Sequence, residues 1–116
     1  MSKNVLFYGW NRAVPGREKE AGAMFQGYLQ YLGGLQQEEM IDSFEVVMLT
    51  VHGGDLNGFF VVRGEIVKLD EIRRSEEFNK YLTLAGHLME GGGLIPGVTG
   101  EGVLEQMALW TSLIPE

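Results

Sequence analysis

The chain contains no cysteine. This excludes a disulfide framework, a zinc–thiolate site, an iron–sulfur cluster and a thiol nucleophile, and it suits a reducing compartment. Basic residues are scarce. Nine lysines and arginines face sixteen aspartates and glutamates, for a net charge of −7, and only Arg73 and Arg74 are adjacent. A duplex nucleic-acid binder needs a basic patch to displace counterions, so no nucleic-acid partner is expected. The same acidity disfavours an anionic membrane surface. No apolar run approaches the ~20 residues of a membrane span. The opening Met1-Ser2-Lys3-Asn4 leads straight into Val5-Leu6-Phe7-Tyr8 without the core and cleavage site of a signal peptide. The expected location is the cytoplasm. With only two histidines, no histidine–carboxylate spacing resembles a metal site, and neither a metal nor a cofactor is expected.

What is present is an ordinary globular composition, 45% hydrophobic and 22% charged, in 116 residues, which is room for one domain, residues 1–116. Val5 to Arg12 reads as a strand, rich in branched and aromatic residues. After Pro15-Gly16 a helix is predicted from about Arg17 to Leu32. Ala21, Met24, Phe25, Tyr28, Leu29 and Leu32 line one face, and Gly33-Gly34 supplies the stop. Ser43 to His52 and Phe59 to Glu65 read as strands joined through the turn-forming run Gly53–Gly58. A helical region follows from about Leu69 to Met89. It is broken near Ser75, which can cap the second piece ahead of Glu76 and Glu77. Val103 to Leu113 is read as the last strand. The order β-α-β-β-α-β is the ferredoxin-like, α+β arrangement, an antiparallel sheet with its helices on one face.

Alternation divides the strands into two sets. Val5, Phe7, Gly9, Val47, Leu49, Val51, Phe60, Val62 and Gly64 are assigned to the helices. The other set holds Leu6, Tyr8, Trp10 and Arg12, Phe44 to His52 in alternation with Met48 among them, and Phe59, Val61, Arg63 and Glu65. It starts apolar and turns polar along each strand, and the helices leave it uncovered. An exposed apolar face of this size marks an interface or a binding groove, so a homodimer is expected, with Met48→Asp as the change that should split it.

The glycine-dense segment Gly91–Gly102 lacks the Lys-Ser/Thr ending and the following helix of a phosphate loop. It is read as a long mobile connection or as a lid over a pocket. No Gly-x-Ser-x-Gly nucleophile elbow occurs. His52 has the titration range of a general base, or it is a strand-end histidine with a backbone partner. Arg63 and Glu65 are either a cross-strand ion pair or the polar part of a site. His87 falls on the solvent side of its helix, opposite Phe78.

The opening strand–Pro15-Gly16–helix, the passage from Phe59–Glu65 through Lys68-Leu69-Asp70-Glu71-Ile72-Arg73-Arg74-Ser75-Glu76-Glu77-Phe78, and the closing strand together resemble the dimeric α+β barrel superfamily. That group includes cofactor-free antibiotic-biosynthesis-type monooxygenases and muconolactone isomerase-like proteins. The resemblance implies two sheets paired face to face in a homodimer, with a pocket beside the sheet. Arg63-Gly64-Glu65 stands where monooxygenases of the group tend to carry a Trp-Glu pair, so no catalytic set is carried over. The function expected is binding of, or action on, a small aromatic or polyketide-like molecule. Tyr8, Trp10 and Trp110 would form the walls, with Arg12 and Glu65 adding polarity. In an enzyme, His52 would be the general base and Arg63 would stabilise an enolate-like anion. The alternative is a non-catalytic dimerisation or protein-interaction module, and the sequence specifies no reaction.

Overall fold

The structure is a computed structural model that describes residues 3–115. Its elements are β1 (Asn4–Trp10), β2 (Arg12–Ala13), α1 (Glu18–Gln37), β3 (Ser43–Met48), β4 (Gly58–Gly64), α2 (Ile66–Arg73), α3 (Glu76–Leu88), β5 (Met89–Glu90), β6 (Gly93–Val98) and α4 (Glu101–Ser112). The main sheet has the order β3-β4-β1-β6, antiparallel throughout, and β2 pairs with β5 in a separate two-stranded ribbon. Leu6, Trp10, Phe60 and Val62 on the sheet meet Leu32 of α1, Leu69 and Ile72 of α2 and Phe78 of α3 in one buried cluster. The ferredoxin-like α+β arrangement expected from the sequence is therefore present.

The helices follow local chemistry. Ser75 caps α3 as expected: its Oγ accepts from the Phe78 N–H at 3.2 Å, and its hydroxyl donates to the Ile72 carbonyl at 2.7 Å. Glu76 and Glu77 occupy the first turn, where the helix dipole favours them. The first helix runs past its expected stop. Gly33 and Gly34 lie inside α1, which continues to Gln37. A helical glycine costs about 1 kcal/mol relative to alanine, but Leu32, 1% exposed, and Leu35 anchor this last stretch in the core.

Three expectations are corrected. The first concerns the faces. On β4 the alternation is as expected, with Phe60, Val62 and Gly64 toward the helices. On β1 and β3 it is reversed. Leu6, Tyr8 and Trp10 stand opposite Val62, Phe60 and Gly58, and Phe44, Val46 and Met48 opposite Val62, Phe60 and Gly58, so all of these share the helix side. Both alternating sets of β1 are apolar, and parity alone does not choose between them. The space left by Gly58 does, because the Trp10 indole lies over it. Phe7, Val47, Phe59, Val61, Arg63 and Ile95 are consequently on the outer side, where Phe7 and Phe59 stack at 5.1 Å.

The second correction is the C-terminal third. Val103–Leu113 is not the closing strand, because α4 spans Glu101–Ser112. Leu104, Glu105, Gln106, Met107, Ala108 and Leu109 are strong helix formers, and that preference prevails over the apparent alternation. Third, the glycine-dense segment supplies the missing strand. Within it β6 pairs along β1, with Gly93 opposite Gly9 and Gly97 opposite Val5. Pro96 is compatible with this position because β6 is an edge strand. Strand β3 also ends at Met48, and residues 49–57 form the connection to β4.

Candidate functional site

Between the helix side of the sheet and the pair α1–α3 lies a cavity of about 310 Å³. The sheet contributes Tyr8, Trp10, Met48, Phe60 and Leu94. The roof comes from Met24, Phe25 and Tyr28 of α1 and from Phe78, Tyr81 and Leu82 of α3. The space exists because small residues stand where large ones would fill it. Ala21, Gly22 and Ala85 line it on the two facing helices, and Ala13 lines it on β2. Gly27 serves the same geometry: a Cβ there would sit 3.1 Å from the Tyr81 hydroxyl, so glycine lets Tyr81 lie against α1.

The walls are a connected set of rings. Trp10 meets Phe60 at 5.5 Å and the edge of Phe25 at 6.2 Å, Tyr28 meets Phe60 edge-on at 4.9 Å, and Tyr81 lies 5.5 Å from Tyr28. Such tilted and edge-to-face contacts each add about 0.5–1.5 kcal/mol beyond area burial, so the walls are mutually braced.

The polar content is small. Three phenolic hydroxyls, of Tyr8, Tyr28 and Tyr81, belong to lining residues, and Glu18 is the only lining residue that carries a formal charge. Burial pushes the Tyr8 hydroxyl above its ordinary value and the Tyr28 hydroxyl well above it, because the phenolate would be poorly solvated there. Both are therefore neutral groups at physiological pH, able to donate or accept. The lining has no serine, threonine, histidine, lysine or arginine, so it carries neither the usual nucleophiles nor a cation for a developing negative charge.

Of the residues singled out in the sequence, the structure brings together Tyr8 and Trp10. The others lie elsewhere. His52 is exposed in the β3–β4 connection, with Nδ1 at 2.8 Å from the Thr50 carbonyl. Arg63 is on the outer side of β4 and donates to Glu45 at 3.0 Å. Arg12 donates to Glu90 across the β2–β5 ribbon at 2.7 Å. Glu65 precedes α2 and is exposed. Trp110 is on α4 and 63% exposed. His87 is exposed on α3, as expected. The reading of the sequence missed Phe25, Tyr28, Phe60 and Tyr81 as walls and Ala21, Gly22 and Ala85 as the source of the space. The available signal was the stripe of α1, where large rings alternate with alanine and glycine on one face.

Among the described residues no group of three or more histidines, aspartates or glutamates is placed to hold a metal ion. No described helix is long and apolar enough to cross a membrane.

The topology and the site define an α+β protein of ferredoxin-like fold. Solved structures similar to it include the following two. One is a dimeric protein of unknown function and ferredoxin-like fold from Bacteroides fragilis, with a TM-score of 0.58 and 10% identity over 83% of this chain and 96% of that one. The other is a Pseudomonas aeruginosa protein, with a TM-score of 0.58 and 13% identity over 86% of this chain and 96% of that one. At these identities the likeness is one of fold. No protein-family model matches the chain, and no curated protein matches it.

Proposed function

We propose that the chain works as a homodimer in which each subunit takes up a small, uncharged, ring-containing molecule between its sheet and α1–α3. The observation that carries this reading is the cavity itself. Its volume is at the lower end of the range for small-molecule sites, its walls are aromatic rings with methionines between them, and its polar groups are tyrosine hydroxyls. A planar aromatic or polyketide-like compound finds ring faces to stack on and hydroxyls for a carbonyl or phenol. A carboxylate finds no cation and meets Glu18, so the ligand is uncharged. The lining offers ring faces and tyrosine hydroxyls with a single carboxylate, and these features support a binding role. Tyr8 and Trp10 are the ligand-contacting residues on the sheet.

The homodimer is supported by the outer side of the sheet. Phe7, Val47, Phe59, Val61 and Ile95 lie there with no helix over them, and Ile95 is 58% exposed. The similar protein of Bacteroides fragilis is described as dimeric. Sheet-to-sheet pairing would bury roughly 800 Å² per subunit in a stable dimer.

The test is a titration with 2-naphthol and 2-naphthoate, following tryptophan emission. Gly22 lines the cavity and a Cβ there meets nothing within 4 Å, so Gly22→Phe introduces a ring at the cavity from an uncrowded position. We expect 2-naphthol to bind at least about tenfold more tightly than 2-naphthoate and Gly22→Phe to weaken it by about tenfold or more, as loss of most of a ring's contact area would. Equal affinity of the variant for 2-naphthol, or no binding to the wild-type protein, would reject the site and favour a module that only pairs with protein.

A further inference from the structure

We infer that α4 is an arm exchanged between two copies of the chain, its apolar surface lying against the second copy rather than against its own body. This rests on the homodimer proposed above and adds the element that grips it.

The base of the arm is fixed to its own subunit. The Thr99 N–H donates to the Lys3 carbonyl at 2.8 Å, and Lys3 Nζ pairs with Glu105 at 2.7 Å. Gly102 packs so closely on Val98 that a Cβ would stand 2.7 Å from it. Gly102 is also the one buried residue of α4. Past Glu105 every residue of the helix is exposed. The chain has a radius of gyration of 16.0 Å and extents of 54 × 37 × 22 Å, where a compact chain of this length would have about 13 Å.

The surface carried outward is apolar. Val103, Met107, Trp110 and Ile114 recur at helical spacing and form one stripe, 44–63% exposed, while Leu104, Leu109 and Leu113 on the other sides are 54–73% exposed. A helix apolar on several sides is a buried helix, and twelve isolated residues make only a marginal helix in water. These seven side chains present on the order of 700 Å² of accessible surface, at about 100 Å² each. That exceeds the largest patch of a typical monomer and matches what each partner buries in a stable pair.

The occupant is a second copy because the surface that α4 exposes is of the size that each partner of a stable pair buries, and an isologous two-fold pairing covers both arms at once, each copy's arm on the other. The only charged residues of α4 are Glu101 and Glu105, near its base, so none interrupts the stripe.

The experiment uses the full chain. The wild-type protein, Met107→Glu/Trp110→Glu and Phe59→Glu are weighed by light scattering across micromolar concentrations, with circular dichroism to confirm that each is folded. The wild type is expected to be a dimer. The arm variant is expected to dissociate at least about 100-fold more readily, as loss of two interface anchors should cause. The emission component lost in Trp110→Phe should be blue-shifted at high concentration and move to the red on dilution. A dimeric wild type whose affinity is unchanged in the arm variant while Phe59→Glu separates it would overturn the arm and leave sheet pairing standing. A solvent-like Trp110 signal in the dimer would overturn the arm as well. A monomeric wild type would overturn both.

Discussion

Replacing Gly58 with alanine tests the placement of Trp10, on which both the core and the cavity depend. In the antiparallel register Gly58 stands opposite Trp10, and the indole lies flat across it. A Cβ on Gly58 would fall inside contact distance of Cζ2 and 2.8 Å from Cε2. The indole is 6% exposed and is held on its other sides by Phe60 and Phe25, so it cannot turn aside without disturbing both. Overpacking of this kind costs about 1–3 kcal/mol. One direction of retreat remains, into the cavity, which places the strain near the lower half, about 1–2 kcal/mol. The change also stiffens the unfolded chain, a stabilising effect of about 0.4–1 kcal/mol. Gly93→Ala removes that contribution from the comparison. It makes the same change in the same sheet, but its Cβ meets nothing within 4 Å. For a chain of this size 1 kcal/mol shifts the melting temperature by about 4 °C. Gly58→Ala should therefore melt about 4–8 °C below Gly93→Ala in parallel thermal scans. It should also show altered tryptophan emission and weaker binding of 2-naphthol, because the displaced indole occupies the ligand's space. If the two variants melt within about 1 °C of each other with unchanged emission, Trp10 does not lie on Gly58 and its assignment to the helix side fails.

Other outcomes follow from single contacts. Ser75→Ala removes the cap of α3 and the bond to the Ile72 carbonyl, and should lower stability by about 1 kcal/mol in urea unfolding; no loss would mean that the cap does not hold in solution. Met48→Asp, which alternation alone named as the change to split a dimer, should leave the oligomeric state intact, because Met48 is 69% exposed on the helix side, whereas Phe59→Asp on the outer side should give a monomer by light scattering. The Tyr28 hydroxyl is raised above its ordinary 10.0 by burial, so its folded value exceeds its unfolded one, and its contribution is complete below about pH 10 and lost as pH rises beyond. Urea unfolding between pH 8 and pH 11 should show that loss in the wild type and a smaller one in Tyr28→Phe; an identical slope in both would contradict the burial.

The parts of the fold that were legible in the sequence are those specified locally. The stripe of α1, the break at Ser75 with its acidic first turn, and the pairing of β3 with β4 each rest on residues close together in the chain. The parts misread depend on partners far away. Whether Leu6, Tyr8 and Trp10 or Val5 and Phe7 face the helices is decided by Gly58, some fifty positions later, and not by β1 itself. Gly93, Pro96 and Gly97 are poor strand formers, and β6 exists because β1 offers an edge to pair with and Leu94 packs against the core. The candidate site divides in the same way. Tyr8 and Trp10 were visible as aromatics of one parity. The cavity was not, since it arises from small residues on helices that only the tertiary structure brings face to face. His52, Arg12 and Arg63 drew attention through polarity at strand ends, and each has a nearby partner in the Thr50 carbonyl, Glu90 and Glu45.

The same rings hold the subunit together and form the wall of its cavity, and this couples binding to stability. Trp10 and Phe60 belong to the buried cluster and to the cavity lining alike. Beside an open space of about 310 Å³ their inner faces lack the dispersion contacts that a filled core would supply. A ligand that stacks there restores those contacts in the folded state alone, and at a hundred times its dissociation constant it would raise stability by about 2.7 kcal/mol. On the other side of the sheet, Phe7 and Phe59 lack a covering helix, and in the proposed homodimer a second subunit would supply the cover. The two apolar sides lie back to back on the same strands, since Phe59 and Phe60 are consecutive residues facing opposite ways. A ligand that displaced β4 at Phe60 would also displace Phe59, the preceding residue of the same strand.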